Sequence, residues 1–170
     1  MMEEELEPGW RSINKVFTES FEEVKEAVRK HEGRSRAGLM LGLQEMGTMP
    51  QGFIGAYYPL YSNIIVINKT PIRRIMETQP SLLEPYGRHL LLHEYIHSLG
   101  FEDEDETRRK SYDISKRAWG EFDTATQLAF DIQPYLPSLI YPSYGFQPDG
   151  SAPIEIVKQF DSSNTRQYIT

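Results

Sequence analysis

The 170-residue sequence contains no cysteine, which excludes disulfide bonds and thiolate metal sites, so that any metal ion must be held by His, Asp, Glu or water. It has no apolar run near the roughly 20 residues of a membrane-spanning helix. Basic charge is scarce, since the formal net charge is -7, which argues against a nucleic-acid partner. The acidic residues 3–5 are unlike a signal peptide. We therefore expect a soluble, cytoplasmic protein.

Histidine is also rare, with four in the chain, yet two of the four flank a glutamate in the pattern His-Glu-x-x-His. His93, Glu94 and His97 form this pattern within residues 85–99, whose apolar spacing predicts a helix. Residues four apart lie on one face of a helix, so both imidazoles can point at one metal ion. The pattern predicts a Zn²⁺ site with His93 and His97 as ligands. Glu94 borders it, where its carboxylate can accept a proton from water that the metal activates.

A catalytic zinc site needs a third protein ligand and an open position. Asp103 is the predicted third ligand, because it follows His97 by six residues and Gly100 lets the chain turn back sharply. Four other acidic residues remain open as alternatives: Glu104, Glu106, Glu121 and Asp123. The first two would lie in the first turns of the next helix. The last two reach the metal only if that helix folds back.

His89 continues the four-residue series upstream of His93. Three such positions on one helix span about 12 Å, which is too far for one metal ion. We therefore expect His89 beside the ligands or at the surface.

The order of the elements predicts an α+β fold. Helical spacing covers residues 12–30, 70–78, 85–99, 103–119 and 124–133, and strand-like runs cover 37–44, 53–58 and 63–68. We expect a small domain with a roughly three-stranded mixed sheet packed on the metal-binding helix. Residues 1–133 would form this domain. The Pro- and Tyr-rich tail, residues 134–170, would pack on it, with a further strand possible at 154–157. The tail either wraps the domain or lies in the cleft.

Residues 85–106 resemble the zincin metallopeptidases. The pattern His-Glu-x-x-His-x-x-Gly-x-x-Asp runs from His93 through Gly100 to Asp103, and this extended form is typical of the metzincin branch. Metzincins carry a methionine turn beneath the metal, whereas no methionine follows Met76 here. The resemblance therefore favours a small gluzincin-like protein of the minigluzincin type, in which a C-terminal segment keeps the enzyme latent.

The resemblance implies a zinc-dependent peptidase that hydrolyses peptide bonds in peptide or protein substrates, with Glu94 as general base. It also implies a group that stabilises the oxyanion, for which Tyr95, Tyr112 and Arg108 are candidates. The alternative is a zincin-fold binding or regulatory protein whose site is latent or not catalytic. Hydrolysis of a non-peptide amide would use the same site.

Overall fold

The computed structural model describes residues 8–148, 152–158 and 160–161. These residues contain five α-helices and six β-strands. The helices are α1 (Pro8–Glu32), α2 (Lys69–Thr78), α3 (Leu83–Ser98), α4 (Glu104–Trp119) and α5 (Thr124–Phe130). The strands are β1 (Met40–Gln44), β2 (Phe53–Ile54), β3 (Ala56–Tyr57), β4 (Ile64–Asn68), β5 (Leu139–Ile140) and β6 (Glu155–Val157). The predicted α+β class is confirmed. In these ranges no helix combines the length and hydrophobicity of a membrane span.

The main sheet has four strands in the order β3-β4-β1-β6, so the prediction of about three strands is wrong by one. Strands β1 and β4 are parallel, while β6 and β3 run antiparallel to their neighbours. The fourth strand, β6, comes from the tail and lies within residues 154–157, where a further strand is predicted as possible. Its pairing with β1 has no local sequence pattern. The predicted strand 53–58 is divided at Gly55 into β2 and β3, and β2 instead pairs with β5 in parallel.

Helix α3 lies at the centre of the fold, and every residue from Pro85 to His97 is buried. Both its apolar face and its opposite, polar face are buried. Helix α1 packs so closely along α3 that a Cβ on Gly87 would lie 2.5 Å from Cε1 of Phe17. Because buried charged and imidazole side chains are uncommon, the polar groups of α3 need specific partners.

The tail is fixed to the rest of the fold on both sides of a crossing segment. Upstream, β5 is held against β2, and downstream β6 is held against β1. Beyond β6, the buried carboxylate of Asp161 pairs with Lys25 of α1 and accepts a hydrogen bond from the backbone N–H of Gly38. Phe160 stacks on Phe21 with 4.3 Å between the ring centroids. Phe160 and Asp161 are therefore part of the core.

Replacing Gly87 by alanine tests the close contact of α1 and α3. We expect Gly87→Ala to lower the free energy of unfolding by about 1–3 kcal/mol because Phe17 must move, although alanine favours a helix by about 1 kcal/mol. Urea denaturation provides the measurement. Gly9→Ala is the control, since nothing lies within 4 Å of a Cβ at this position in α1. Equal stability of the two variants would contradict the contact.

Candidate metal centre

Two imidazoles from α3 and one carboxylate from α4 converge in the interior. Nε2 of His93 lies 3.0 Å from one carboxylate oxygen of Glu104, and Nε2 of His97 lies 2.8 Å from the other. One potential ligand atom from each of the three residues falls within a mutual distance of 4.8 Å. This buried group could hold a metal ion. The spacing of the two histidines on α3 therefore produces the shared face that the sequence predicted.

The turn after α3 decides which acidic residue reaches the histidines. Gly100 follows α3 with a φ of 104°, a conformation that favours glycine, and the chain then enters α4. Asp103 is the N-cap of α4, where its exposed carboxylate accepts a hydrogen bond from the backbone N–H of Glu106 at 3.1 Å. Glu104, one residue later, faces α3. Among the predicted ligands the structure thus brings Glu104, and not Asp103, to the histidines.

The remaining acidic candidates lie away from the histidines. Glu106 follows the cap on α4 and is outside the group of converging ligand atoms. Glu121 is exposed beyond the end of α4. Asp123 caps α5 and forms an ion pair with Arg88 at 3.1 Å. A signal for the correct choice was present in the sequence, because the capping-box spacing of Asp103 and Glu106 already assigns the carboxylate of Asp103 to the helix end.

The orientation of His97 is set by the backbone that follows it. Its Nδ1–H donates a hydrogen bond to the carbonyl oxygen of Phe101 at 2.6 Å, which turns Nε2 toward Glu104. A metal-ligating histidine usually donates its other ring N–H to such an acceptor. The Nδ1 atom of His93 is buried and has no hydrogen-bond partner in the described part of the chain. Both rings therefore have Nε2 as the atom directed at the shared site.

The charges of the three groups depend on one another. Burial raises the pKa of Glu104, but hydrogen bonds from His93 and His97 outweigh it and lower this pKa to about 2. Burial acts in the opposite direction on His97 and lowers its pKa. The carboxylates of Glu104 and Glu94 outweigh this effect and raise the pKa above its ordinary value. For His93, burial prevails and lowers the pKa. The carboxylate is thus ionised, as a ligand must be.

Glu94 lies beside the shared site and has a different environment from Glu104. Its side chain is 3% exposed, and burial raises its pKa to about 8 although the nearby His97 acts in the opposite direction. Glu94, His97 and Glu104 line the same small cavity, whose volume is ≈ 10 Å³. That is about the space that one water molecule needs. A proton acceptor and two potential metal ligands therefore border a space for a single small molecule.

A segment of the tail closes this cavity from outside. We call residues 141–146, directly after β5, the strap. The ring of Tyr141 stacks on His93 with a centroid distance of 4.8 Å, and that of Tyr144 lies 5.4 Å from the ring of His97. Phe146 meets Tyr57 edge to face at 5.7 Å. The strap therefore lies against the rings of His93 and His97.

His89 lies one turn before His93, and its ring centroid is 6.3 Å from that of His93. It contributes no atom to the group of converging ligands. Its Nε2 atom instead forms a 2.8 Å hydrogen bond with the phenol oxygen of Tyr141. His89 is 1% exposed, so it belongs beside the ligands and not at the surface. The sequence offered no signal for its partner, which is distant along the chain.

The three residues named as oxyanion stabilisers differ in position. The buried hydroxyl of Tyr95 accepts a hydrogen bond from the backbone N–H of Arg36 at 2.8 Å. Tyr112 packs against Phe130 on the outer part of the fold, with 5.5 Å between centroids. Only Arg108 is next to the strap, since its guanidinium lies 5.0 Å from the ring centroid of Tyr141. Of the three candidates, Arg108 is therefore the one that borders the strap.

Two imidazole nitrogens and one carboxylate oxygen are a donor set that suits Zn²⁺, and the same set binds other divalent metals less selectively. Comparisons with family models, with curated proteins and with solved structures find no match for this chain. The chemical interpretation of the site therefore depends on its own residues.

Replacing the acidic residues separately tests which one binds the metal. With Zn²⁺ as the probe, we expect Glu104→Gln to weaken binding at least about 10-fold, because even the loss of a group that only orients a ligand costs that much. Asp103→Asn should bind as the natural protein does, since asparagine is an equally good N-cap. Calorimetric titration measures both. Weakened binding by Asp103→Asn with normal binding by Glu104→Gln would restore Asp103 as the ligand.

Proposed function

We propose that the chain is a zinc-dependent peptidase, with His93, His97 and Glu104 as ligands and Glu94 as general base. The observation that carries this proposal is the position of the Glu94 carboxylate, which shares a cavity of ≈ 10 Å³ with two of the three ligands. When bound, zinc supplies a Lewis acid that lowers the pKa of a water molecule and polarises a carbonyl group. The site's own residues then provide orientation and proton transfer.

The role of Glu94 is supported by its burial. Burial raises the pKa of Glu94 to about 8, so its ionised form is a stronger base than an exposed glutamate, and general bases work best when their pKa lies near the working pH. A metal ion held by the neighbouring ligands would favour this ionised form. Its carboxylate can take a proton from water in the adjacent cavity and pass it to the leaving amine. The hydrogen bond from His97 Nδ1 to the carbonyl of Phe101 keeps the imidazole oriented while this occurs.

We further propose that the strap keeps this peptidase latent. Tyr141 and Tyr144 cover the ring faces of His93 and His97, so that a peptide reaches the cavity only when the strap moves. This agrees with the latency that the resemblance to minigluzincins implies. The covering contact also favours a second candidate function, a binding or regulatory protein in which the site holds metal without catalysis.

Zinc content and cleavage together separate the two candidates. We expect the natural chain and Glu94→Gln each to bind one zinc ion, and the substitution to reduce peptide cleavage by about 10²–10⁴-fold because the proton acceptor is lost. Metal analysis and a fluorogenic peptide assay provide the two measurements. Zinc binding without cleavage, even after the strap has been opened, would favour the binding or regulatory protein.

Opening the strap by a point substitution tests latency. We expect Tyr144→Ala to raise the cleavage rate about 10-fold, since the lost ring contact and burial shift the strap toward its open position, with the zinc content unchanged. Phe122→Ala is a suitable control because Phe122 is 89% exposed and lies between α4 and α5, outside the strap. A point substitution is cleaner than truncation near Pro134, which would also remove β5, β6 and the buried Asp161. An unchanged rate would contradict latency.

A further inference from the structure

Three side chains surround Tyr141: His93, Arg108 and His89. We call the space that they form the tyrosine pocket. The ring of His93 forms one wall by stacking at 4.8 Å, with 28° between the planes. The guanidinium of Arg108 lies 5.0 Å from the centroid of the Tyr141 ring. At the inner end, Nε2 of His89 forms a 2.8 Å hydrogen bond with the phenol oxygen. The pocket thus contacts both the aromatic ring and its hydroxyl group.

The inner end of this pocket is selective for a hydroxyl group. His89 is 1% exposed, and its other nitrogen, Nδ1, has no hydrogen-bond partner among the described residues. The phenol of Tyr141 is therefore the hydrogen-bond partner that the structure provides for this buried imidazole. A phenol can both donate and accept, so it complements Nε2 in either tautomer. A phenylalanine ring in the same place would leave His89 unsatisfied, which is costly in the interior.

The backbone that leads to Tyr141 pairs with a strand in the way that a bound extended peptide does. Leu139 and Ile140 form β5 and pair with Phe53 and Ile54 of β2. The N–H of Phe53 also donates to the carbonyl oxygen of Ser138 at 2.8 Å. Addition of an extended segment to a strand is a common way to bind peptides, in which the backbone supplies affinity and side-chain pockets supply specificity.

We infer that the tyrosine pocket is the specificity site of the proposed peptidase, with His89 as the residue that recognises the hydroxyl group. The substrates are then extended peptides with a tyrosine residue, which the strap imitates through Tyr141. This inference rests on the proposed function, since it assigns a substrate class to the same site. Tyr141 and a substrate tyrosine would compete for the same pocket. The side chain of Tyr141 must therefore be removed before substrate specificity can be measured.

The test uses the full-length chain with Tyr141→Ala and Tyr144→Ala, loaded with zinc. Two peptides that differ only in tyrosine or phenylalanine at one position are compared by kcat/KM. We expect the tyrosine peptide to be preferred at least about 10-fold, as when a buried hydrogen-bonding group rejects a substrate that leaves it unpaired. Equal kcat/KM values for the two peptides would overturn the inference and leave the peptidase proposal standing.

Substitution of His89 in the same background assigns the preference to this residue. We expect His89→Leu to abolish the preference without changing the zinc content, and His89→Gln to restore part of it because an amide can again pair with the hydroxyl group. A preference that survives His89→Leu would overturn the role of His89. If His89→Leu does not fold, the natural chain is compared with Tyr141→Phe. Loss of the hydroxyl should then raise the basal cleavage rate, and an unchanged rate would count against the pocket.

A binding measurement separates failure of the pocket from failure of the proposed function. The peptide Ile-Tyr-Pro-Ser-Tyr-Gly-Phe, which copies residues 140–146, and its analogue with phenylalanine at the first tyrosine are titrated into the strap-open chain carrying Glu94→Gln. Tighter binding of the tyrosine peptide by about 10-fold supports the pocket even if no variant cleaves any peptide, in which case the peptidase proposal is wrong. Equal binding of the two peptides would overturn the pocket.

Discussion

The burial of α3 on every side is the constraint from which the rest of the site follows. A helix whose polar face is exposed can leave its imidazoles and carboxylates to water, but α3 is buried from Pro85 to His97. Each polar group on it must then be paired or neutral. Glu104 provides the ionised partner for His93 and His97, whereas Glu94 responds to burial by a raised pKa. One constraint thus shifts the pKa values of two neighbouring carboxyl groups in opposite directions.

The local part of this site could be predicted from the sequence, and the non-local part could not. The His93–His97 spacing and the helix around it follow from periodicity, and Gly100 provides the turn after α3 as expected. The choice of the third candidate ligand depends on the residue at which α4 begins. Because Asp103 caps this helix, Glu104, one residue later, faces inward. The strap depended on β5, which has two residues and pairs with a strand far upstream in the chain. Such short, distant pairing has no periodic signature.

The shared carboxylate links the hydrogen bonds of this site to the proposed binding of a metal ion. His97 donates Nδ1–H to Phe101 and directs Nε2 to Glu104, so its two nitrogens both act as donors when the imidazole is protonated. Metal ligation requires Nε2 to lose that proton. A metal ion would therefore replace a proton between the same three side chains. Since the backbone at Phe101 already fixes the ring, this exchange needs no large movement of α3.

The double attachment of the tail determines how strongly the strap competes with other ligands. A segment joined to the fold at one end explores a wide volume, but the strap lies between β5, paired with β2, and β6, paired with β1. Its tyrosines are therefore held near the histidines at a high effective concentration, of order millimolar for short tethers. A free peptide with similar contacts must approach that concentration to displace them. In the proposed latent peptidase, release of one anchor would lower this barrier without moving His93, His97 or Glu104.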